Sequence, residues 1–174
     1  CLIGCGALGS MLAEHLIRGG MGNLALFDGD SLEPGNLCRH TLAPADIDQP
    51  KAVALAKKFQ GMCPSFNIRG YEAAFPLTSP NGPSKLWREM LDADVWVDCT
   101  AHELTFIWLS QQGRARGKRV VHLFTNQHAR MLTLCFSGKH TTCARVYSML
   151  EHDIRQGNVS FGMAEYSPLR DEEV

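Results

Sequence analysis

Short apolar runs alternate with segments of helical periodicity along most of the chain. In the helical segments apolar residues recur at the spacing of helix turns, which predicts helices over 10–18, 50–59, 85–91 and 103–116. The apolar runs, bounded by turn-forming residues, predict strands over 1–4, 24–28, 67–71, 95–98, 119–124 and 131–136. Strands that alternate with helices in this way are typical of a parallel sheet covered by helices.

The last two predicted strands differ from the others because only residues 125–130 separate them. That connection is too short for a crossover helix, so we expect an antiparallel hairpin at one edge of the sheet. The pattern thus predicts an α/β fold with three layers and a mostly parallel sheet over residues 1–157. Residues 158–174 are weakly patterned and predict a loosely structured tail. Because so few residues precede the first glycine cluster, we expect a piece of a longer protein.

Composition narrows the classes of partner. The 174 residues are 45% hydrophobic and 20% charged, and 17 Lys and Arg against 18 Asp and Glu give a net charge of −1. Such a balance disfavours nucleic-acid and membrane-surface binding. No apolar run reaches the roughly 18 to 20 residues needed to cross a bilayer. We therefore expect a cytoplasmic protein that binds neither nucleic acid nor membrane.

A glycine-rich motif stands between the first predicted strand and the first predicted helix. Gly4, Gly6 and Gly9 form a GxGxxG pattern that also contains Ala7 and Leu8. Glycines at this spacing let the backbone turn tightly and approach a phosphate, which the free N–H groups of the helix N-terminus can bind. The alternative is that the glycines serve only tight packing of helix on strand. The motif favours a nucleotide site in a Rossmann-like domain.

Polar residues beyond the second predicted strand extend this hypothesis. Asp28 ends that strand, where a carboxylate can accept hydrogen bonds from ribose hydroxyls. Asp30 follows, and Asn36, Arg39 and Lys51 come next along the chain. A dinucleotide-dependent dehydrogenase has no need of this gathered Asn, Arg and Lys. An enzyme that neutralises a triphosphate and stabilises a departing pyrophosphate does.

The chain resembles a known family, the ThiF/MoeB adenylating domains related to ubiquitin-activating enzymes, in four ordered blocks: GCGALGS, LFDGDSLEPGNLCRH, QPKA and VWVDCT. Over residues 2–136 the resemblance implies ATP-dependent adenylation of the C-terminal carboxylate of a ubiquitin-like or sulfur-carrier protein, usually by a homodimer. It implies catalytic roles for Arg39 and Lys51 at the phosphates. It also implies a nucleotide site formed by Gly4, Gly6, Ala7, Leu8, Gly9, Asp28, Asp30, Asn36, Arg39, Lys51 and Asp98.

The chain departs from the family's pattern after the fourth predicted strand. Family members carry Asp-Cys-Thr-Asp there, and the second aspartate helps to hold Mg2+, whereas this chain has Ala101 at that position. Asp98 either caps the loop or replaces the missing ligand, and Glu103 could reach a metal if the loop is rearranged. Mg2+ can bind through one or two carboxylates together with waters and phosphates. We expect ATP and Mg2+ as cofactors. We expect no structural zinc, because the two CxxC pairs of many relatives are missing.

A cysteine could also take part, since ubiquitin-activating relatives pass the acyl group to a thiol. A reactive thiol needs exposure and nearby positive charge to lower its pKa. Cys143 lies in a polar stretch beside Lys139, His140 and Arg145, and is therefore a candidate acceptor thiol.

Two other functions stay open. A non-catalytic scaffold or dimerisation domain is favoured by Ala101 and disfavoured by the full set of phosphate-contacting residues. An NAD-binding oxidoreductase would share the glycine motif and Asp28, but it leaves Asn36, Arg39 and Lys51 without a role.

Overall fold

The computed structural model describes residues 1–77, 85–126 and 129–160. The proline-rich segment 75–84, which the sequence predicts as a loop, lies largely outside the described residues, and so does the predicted tail over 158–174. Within the described part of the chain, no helix is long and apolar enough to cross a membrane.

Six strands form one sheet within the described residues. In chain order they are β1 (Leu2–Ile3), β2 (Asn23–Asp28), β3 (Asn67–Glu72), β4 (Val95–Asp98), β5 (Arg119–Thr125) and β6 (Leu132–Phe136). Their order across the sheet is β3-β2-β1-β4-β5-β6. All neighbours are parallel except β5 and β6, which pair antiparallel. The predicted α/β fold, with its mostly parallel sheet and antiparallel edge hairpin, is confirmed.

Five α-helices accompany the sheet in the described residues: α1 (Ala7–Arg18), α2 (Lys51–Met62), α3 (Lys85–Asp92), α4 (Glu103–Ala115) and α5 (Cys143–Arg155). One apolar cluster joins residues of α1 and α2 to one face of β1 and β2, including Ile17, Leu26 and Phe59. A second cluster lies on the opposite face and includes Trp96 and Leu109. A sheet buried on both faces needs apolar residues at consecutive positions, which explains the unbroken apolar runs of the central strands β1 and β2.

The short strand β1 lies in the middle of the sheet, between β2 and β4. Leu2 pairs with Leu26 on one side and with Val97 on the other. The chain therefore passes to one side of β1 first and to the other side later, so the connections that leave β1 and β4 run in opposite directions across the sheet. In open parallel sheets this reversal opens a crevice at the carboxyl ends of the strands, where ligands bind.

Helix α1 begins three residues before its predicted start. Gly6 is its N-cap residue, so Ala7 and Leu8 form the first turn. Sequence patterns associate glycines with loops. In this chain the glycine motif forms the start of the helix, with Gly6 as N-cap and Gly9 inside the first turns. Short 3-10 helices, which the sequence pattern did not predict, occupy Pro34–Arg39 and Pro44–Asp46.

Helix α5 was not predicted. The Thr142 side chain caps it by accepting a hydrogen bond from the Arg145 N–H at 3.2 Å. A threonine cap followed by apolar residues at helical spacing, Val146, Met149 and Leu150, was the available signal. Because the residues around position 140 are polar, the pattern there did not indicate the start of a helix.

The expectation that Cys143 is exposed is wrong. As the first residue of α5 it is fully buried, and its Sγ lies 3.4 Å from the Cys135 carbonyl oxygen and 3.5 Å from that of Val120. The hydrogen bond with the Cys135 thiol and burial together raise the pKa of the Cys143 thiol. A neutral, enclosed thiol cannot serve as an acyl acceptor, because the thiolate is the nucleophile.

Thiol labelling tests the burial of Cys143. We expect iodoacetamide at neutral pH to modify Cys38, which is exposed, and to leave Cys143 unmodified until the protein is unfolded. Peptide mass spectrometry of the labelled protein gives the site, and a Cys38→Ser variant controls for the exposed thiol. Rapid labelling of Cys143 in the folded protein would contradict its burial at the start of α5.

A matched pair of glycine substitutions tests the packing of α2 on β3. A Cβ on Gly70 would lie 2.6 Å from the Ala52 carbonyl carbon and 2.7 Å from the Val53 Cα, both backbone atoms. We expect Gly70→Ala to lower the free energy of unfolding by about 1–3 kcal/mol, the usual range for overpacking. Gly61, within α2, faces open space, so Gly61→Ala should raise the free energy of unfolding by about 0.5–1 kcal/mol. Urea denaturation measures both; equal effects would be inconsistent with this packing.

Candidate functional site

A cleft of about 330 Å³ opens at the carboxyl ends of β1, β2 and β4. The lining residues come from the loops that follow these strands and β3, and from the N-termini of α2 and α4. They are Ile3, Gly4, Gly6, Phe27, Asp28, Gly29, Asp30, Lys51, Ala73, Ala74, Phe75, Cys99, Thr100, His102 and Thr105.

Two glycines of the motif are required by the fold itself. Gly4 has a φ of 85°, and a Cβ there would lie 2.8 Å from the Cys99 carbonyl carbon and from the Thr100 nitrogen. A Cβ on Gly9 would meet the backbone of Gly4. Tight packing is therefore enough to explain glycine at these two positions, because any other residue would push the first helix and the β4 loop apart.

Gly6 is different. Its φ of −72° suits any residue, and a Cβ there would have nothing within 4 Å. It lines the cleft and is the N-cap residue of α1, whose first N–H groups have no partner in the helix. Packing therefore does not explain this glycine, whereas close approach of a ligand to the helix N-terminus would.

Asp28 joins the glycine loop to the turn after β2. Its Oδ2 accepts a hydrogen bond from the Cys5 N–H at 2.5 Å, and its Oδ1 accepts one from the Asp30 N–H at 2.8 Å. The residue is 9% exposed and faces the cleft. Each carboxylate oxygen has a second acceptor site, so Asp28 can hold the loop and still accept from a ligand hydroxyl.

Lys51 and Asp30 form an ion pair in the cleft. The Lys51 Nζ lies 3.1 Å from the Asp30 Oδ2, and the Lys51 N–H donates to the Asp30 carbonyl at 2.9 Å. The lysine side chain is only 11% exposed, but the aspartate side chain is 76% exposed. Because the Asp30 carboxylate is exposed, breaking this ion pair costs little free energy. The Lys51 ammonium therefore stays in the cleft and can exchange Asp30 for a stronger anion.

Asn36 and Arg39 are not among the described residues that line the cleft. Both belong to the 3-10 helix Pro34–Arg39, where the Asn36 Oδ1 accepts from the Glu33 N–H at 3.3 Å and Arg39 is exposed. Of the residues singled out in the sequence, the structure brings together Gly4, Gly6, Asp28, Asp30 and Lys51 in the cleft.

Asp98 does not line the cleft, and both oxygens of its carboxylate are hydrogen-bonded within the chain. Its Oδ1 accepts from the Thr100 N–H and hydroxyl at 2.9 and 2.7 Å, and its Oδ2 is 2.7 Å from the His122 Nδ1. The His122 Nε2 in turn lies 3.2 Å from the Ser110 Oγ. Asp98, His122 and Ser110 are all buried. The sequence did not reveal this network because its members are far apart along the chain and follow no spacing rule.

A second run of hydrogen bonds extends this network along one wall of the cleft. The Thr100 Oγ1 accepts from the His102 N–H at 3.2 Å, and the His102 side chain caps α4 by accepting from the Thr105 N–H at 3.4 Å. The Thr105 hydroxyl donates to the Phe75 carbonyl at 3.2 Å. Thr100, His102, Thr105 and Phe75 all line the cleft, and none was singled out from the sequence.

The expected role of Asp98 as a Mg2+ ligand does not fit the structure. Its oxygens already accept three hydrogen bonds within the chain, and Ala101, which follows with a φ of 52°, has no side-chain oxygen. Glu103 is exposed in the first turn of α4 and does not line the cleft. Among the residues the structure describes, no three His, Cys, Asp or Glu side chains are grouped to hold a metal ion.

The two cysteines near the cleft are unsuited to nucleophilic chemistry. Burial raises the pKa of the Cys5 thiol well above its usual value, and the nearby Asp28 adds to this effect. Burial also raises the pKa of Cys99 to about 12. Both thiols are therefore neutral at physiological pH, and the cleft offers backbone N–H groups, a lysine and carboxylates instead.

Comparison with known proteins places this geometry in a family. Among curated proteins, the ATP-dependent ubiquitin transferase-like protein Cap2 of Enterobacter hormaechei is 34% identical over 117 residues, which cover 64% of this chain and 19% of that protein. The adenylyltransferase and sulfurtransferase UBA4 of Candida glabrata is 28% identical over 121 residues, covering 69% of this chain and 27% of that protein. The chain thus spans roughly a fifth to a quarter of these relatives.

Solved structures share the fold. MccB of Escherichia coli, determined with ATP, aligns with a TM-score of 0.67 at 19% identity over 96% of this chain and 49% of that one. The E. coli tRNA N6-threonylcarbamoyladenosine dehydratase TcdA, determined with AMP, gives 0.60 at 20% identity over 70% of this chain and 48% of that one. Residues 1–161 also match the ThiF family as a whole, and the chain therefore belongs to the ThiF family.

Proposed function

We propose that the protein binds ATP in this cleft and adenylates the C-terminal carboxylate of a small ubiquitin-like or sulfur-carrier protein. The observation that carries the proposal is that Gly6, at the N-terminus of α1, and the nearly buried Lys51 ammonium line the same cleft. A helix N-terminus and a lysine together form a site for phosphate groups. The names of two relatives support the reaction class: UBA4 is an adenylyltransferase and sulfurtransferase, and Cap2 is an ATP-dependent ubiquitin transferase-like protein.

Binding comes first in the proposed mechanism. The ribose hydroxyls donate to the Asp28 carboxylate, and the phosphates approach the N–H groups at the start of α1. The Gly6 backbone permits this approach because no side chain intervenes. The Lys51 ammonium leaves Asp30 and pairs with the phosphates, whose higher charge competes for it. Asn36 and Arg39 do not line the cleft, and in this proposal they reach the phosphates from the 3-10 helix Pro34–Arg39 at its edge once nucleotide is bound.

Adenylyl transfer then needs mainly placement and charge neutralisation. A carboxylate oxygen of the carrier protein attacks the α-phosphorus of ATP, and the bond from that phosphorus to the bridging oxygen of the β-phosphate breaks. The products are an acyl adenylate and pyrophosphate. Lys51 and Arg39 stabilise the negative charge that develops on the departing pyrophosphate. A homodimer is part of the same proposal, because family members usually pair.

No step of this mechanism is assigned to a protein-held Mg2+. The carboxylate expected for it is replaced by Ala101, and Asp98 is bonded within the chain. The same observation favours a second candidate function, a domain that binds nucleotide or pairs with a partner without catalysing adenylation. Pyrophosphate exchange separates the two, because it requires the chemical step.

Lys51 provides the test of the proposed function. We expect ATP–pyrophosphate exchange in the presence of a cognate β-grasp carrier, and an adenylate of the carrier detectable by mass spectrometry. Lys51→Ala should reduce the exchange rate by about 100-fold or more, the usual effect of removing a group that stabilises transition-state charge. Lys57→Ala is the matched control, since Lys57 is exposed on the same helix, and it should leave the rate unchanged.

The outcomes separate the alternatives. ATP binding without exchange for any small β-grasp carrier would support the non-catalytic function. Tighter binding of NAD than of ATP would contradict the proposal. Equal rates for the Lys51 and Lys57 variants would remove Lys51 from the mechanism.

The β4 loop gives a second prediction. Ala101→Asp adds a carboxylate at an exposed position with a φ of 52°, which aspartate tolerates better than alanine. We expect replacement of Mg2+ by EDTA to weaken ATP binding more in this variant than in the natural protein, because the added carboxylate can bind the ion. Calorimetry measures both affinities, and Ala101→Asn controls for shape without charge. The same EDTA response in all three proteins would show that the loop does not reach the nucleotide-bound ion.

A further inference from the structure

His40 connects two segments of the site that are far apart in sequence. It follows the 3-10 helix Pro34–Arg39 and is 8% exposed. Its Nε2 lies 2.6 Å from the Cys5 carbonyl oxygen in the glycine loop, and its Nδ1 accepts a hydrogen bond from the Leu42 N–H at 3.1 Å. The ring thus lies between the glycine loop and the chain that carries Arg39.

These two contacts define the protonation state of the ring. The Leu42 N–H can only donate, so Nδ1 must carry a lone pair. The Cys5 carbonyl oxygen can only accept, so Nε2 must carry the proton. His40 is therefore neutral in this arrangement, in its Nε2–H tautomer. A proton on Nδ1 would place two hydrogen-bond donors, Nδ1–H and the Leu42 N–H, face to face with no acceptor between them.

The peptide groups of Cys5 are held from both sides. Its N–H donates to Asp28, as described above, and its carbonyl accepts from His40. The His40 segment has its own anchor, because the Lys58 Nζ lies 2.5 Å from the Thr41 carbonyl oxygen and 2.9 Å from the Glu14 Oε2 on α1. Cys5 thus has one fixed carboxylate and one fixed imidazole as partners, immediately before Gly6 in the cleft.

We propose that His40, in its neutral Nε2–H tautomer, is a positioning residue that holds the glycine loop against the Arg39-bearing segment so that both approach the nucleotide in register. This inference rests on the proposed nucleotide site and adds a residue and a pH response to it. His40 acts through the Cys5 carbonyl and does not line the cleft.

The surroundings of His40 favour the neutral ring. Burial lowers its pKa below the usual value, and Lys51 and Lys58 on α2 add to this effect. The hydrogen bond to the Cys5 carbonyl and the carboxylate of Asp28 on β2 oppose it. The Cys5 thiol is neutral because its pKa is raised. Since the folded pKa is depressed, the stabilisation is present above the unfolded pKa of about 6.5 and is lost as the pH falls below it.

Two substitutions separate the two hydrogen bonds. The amide nitrogen of His40→Gln can occupy the place of Nε2 and donate to the Cys5 carbonyl, but it leaves the Leu42 N–H without its partner. The side-chain oxygen of His40→Asn can occupy the place of Nδ1 and accept from Leu42, but it cannot reach Cys5. Each variant loses one buried hydrogen bond, so their stabilities should be similar.

We expect His40→Asn to weaken ATP binding about fivefold to tenfold, the loss of one hydrogen bond's positioning effect, and His40→Gln to stay within about twofold of the natural protein. The affinity ratio of natural protein to His40→Gln should fall as the pH is lowered below about 6.5, because only the former carries the titrating ring, whose folded pKa is depressed. Protonation of ATP itself cancels in this ratio. Equal losses in the two variants, or a ratio independent of pH, would overturn the proposal.

Two readouts need no nucleotide. Ring nitrogen chemical shifts of the natural protein at pH 7.5 should report the Nε2–H tautomer of His40. The protection factors of the Cys5 and Gly6 amides, which correct for the intrinsic pH dependence of exchange, should fall in His40→Asn, and in the natural protein at acid pH, but not in His40→Gln. If ATP fails to bind while these results hold, the proposed function is wrong and the loop-positioning role stands. A cationic ring, or the Nδ1–H tautomer, at pH 7.5 would overturn the inference even if ATP binds.

Discussion

The candidate site depends on the hydrogen bond between the Asp28 carboxylate and the Cys5 N–H. Strand β1 has only two residues, and the glycine loop turns away from it at once, so the strand alone cannot fix the loop. The carboxylate at the end of β2 supplies that fixation at 2.5 Å, and its other oxygen holds the turn that carries Asp30. Because Asp30 pairs with Lys51, the same carboxylate also sets the place of the cleft's cation. One buried acid thereby orders the loop, the turn and the ammonium group.

A second buried acid orders the opposite wall in the same way. Asp98 is enclosed between Thr100 and His122, and from Thr100 the hydrogen bonds continue through His102 to Thr105 at the start of α4. Buried carboxylates persist when donors within the chain satisfy their oxygens, and hydrogen-bond networks of this kind make a site rigid. The two aspartates end β2 and β4, the parallel strands on either side of β1; Asp28 faces the cleft, and Asp98 does not. This difference explains why Asp98 is a poor metal ligand although its position in the sequence suggested one.

Hydrophobic periodicity predicted most of the fold, because strands buried on both faces must be apolar throughout and their helices must carry one apolar stripe. Strand β4 (Val95–Asp98) lies where the pattern predicted it, and the edge hairpin follows from a connection too short for a helix. Boundaries and α5 were harder to predict. The glycine motif opens α1 instead of preceding it, with Gly6 as the N-cap residue, and α5 begins with a cysteine that packs into the core although its neighbours are polar.

The sequence by itself determined the fold class, the glycine loop and the residue types of a phosphate site, since these depend on local spacing and on which side chains can neutralise charge. Only the tertiary structure decided which of these residues share one cleft. It set Lys51 beside Asp30 and left Arg39 exposed on its 3-10 helix. It also buried Cys143 and brought His122 to Asp98 and His40 to Cys5. The physical reason is that burial, hydrogen-bond partners and protonation states depend on contacts between segments far apart in the chain, and such contacts leave no periodic signal in the sequence.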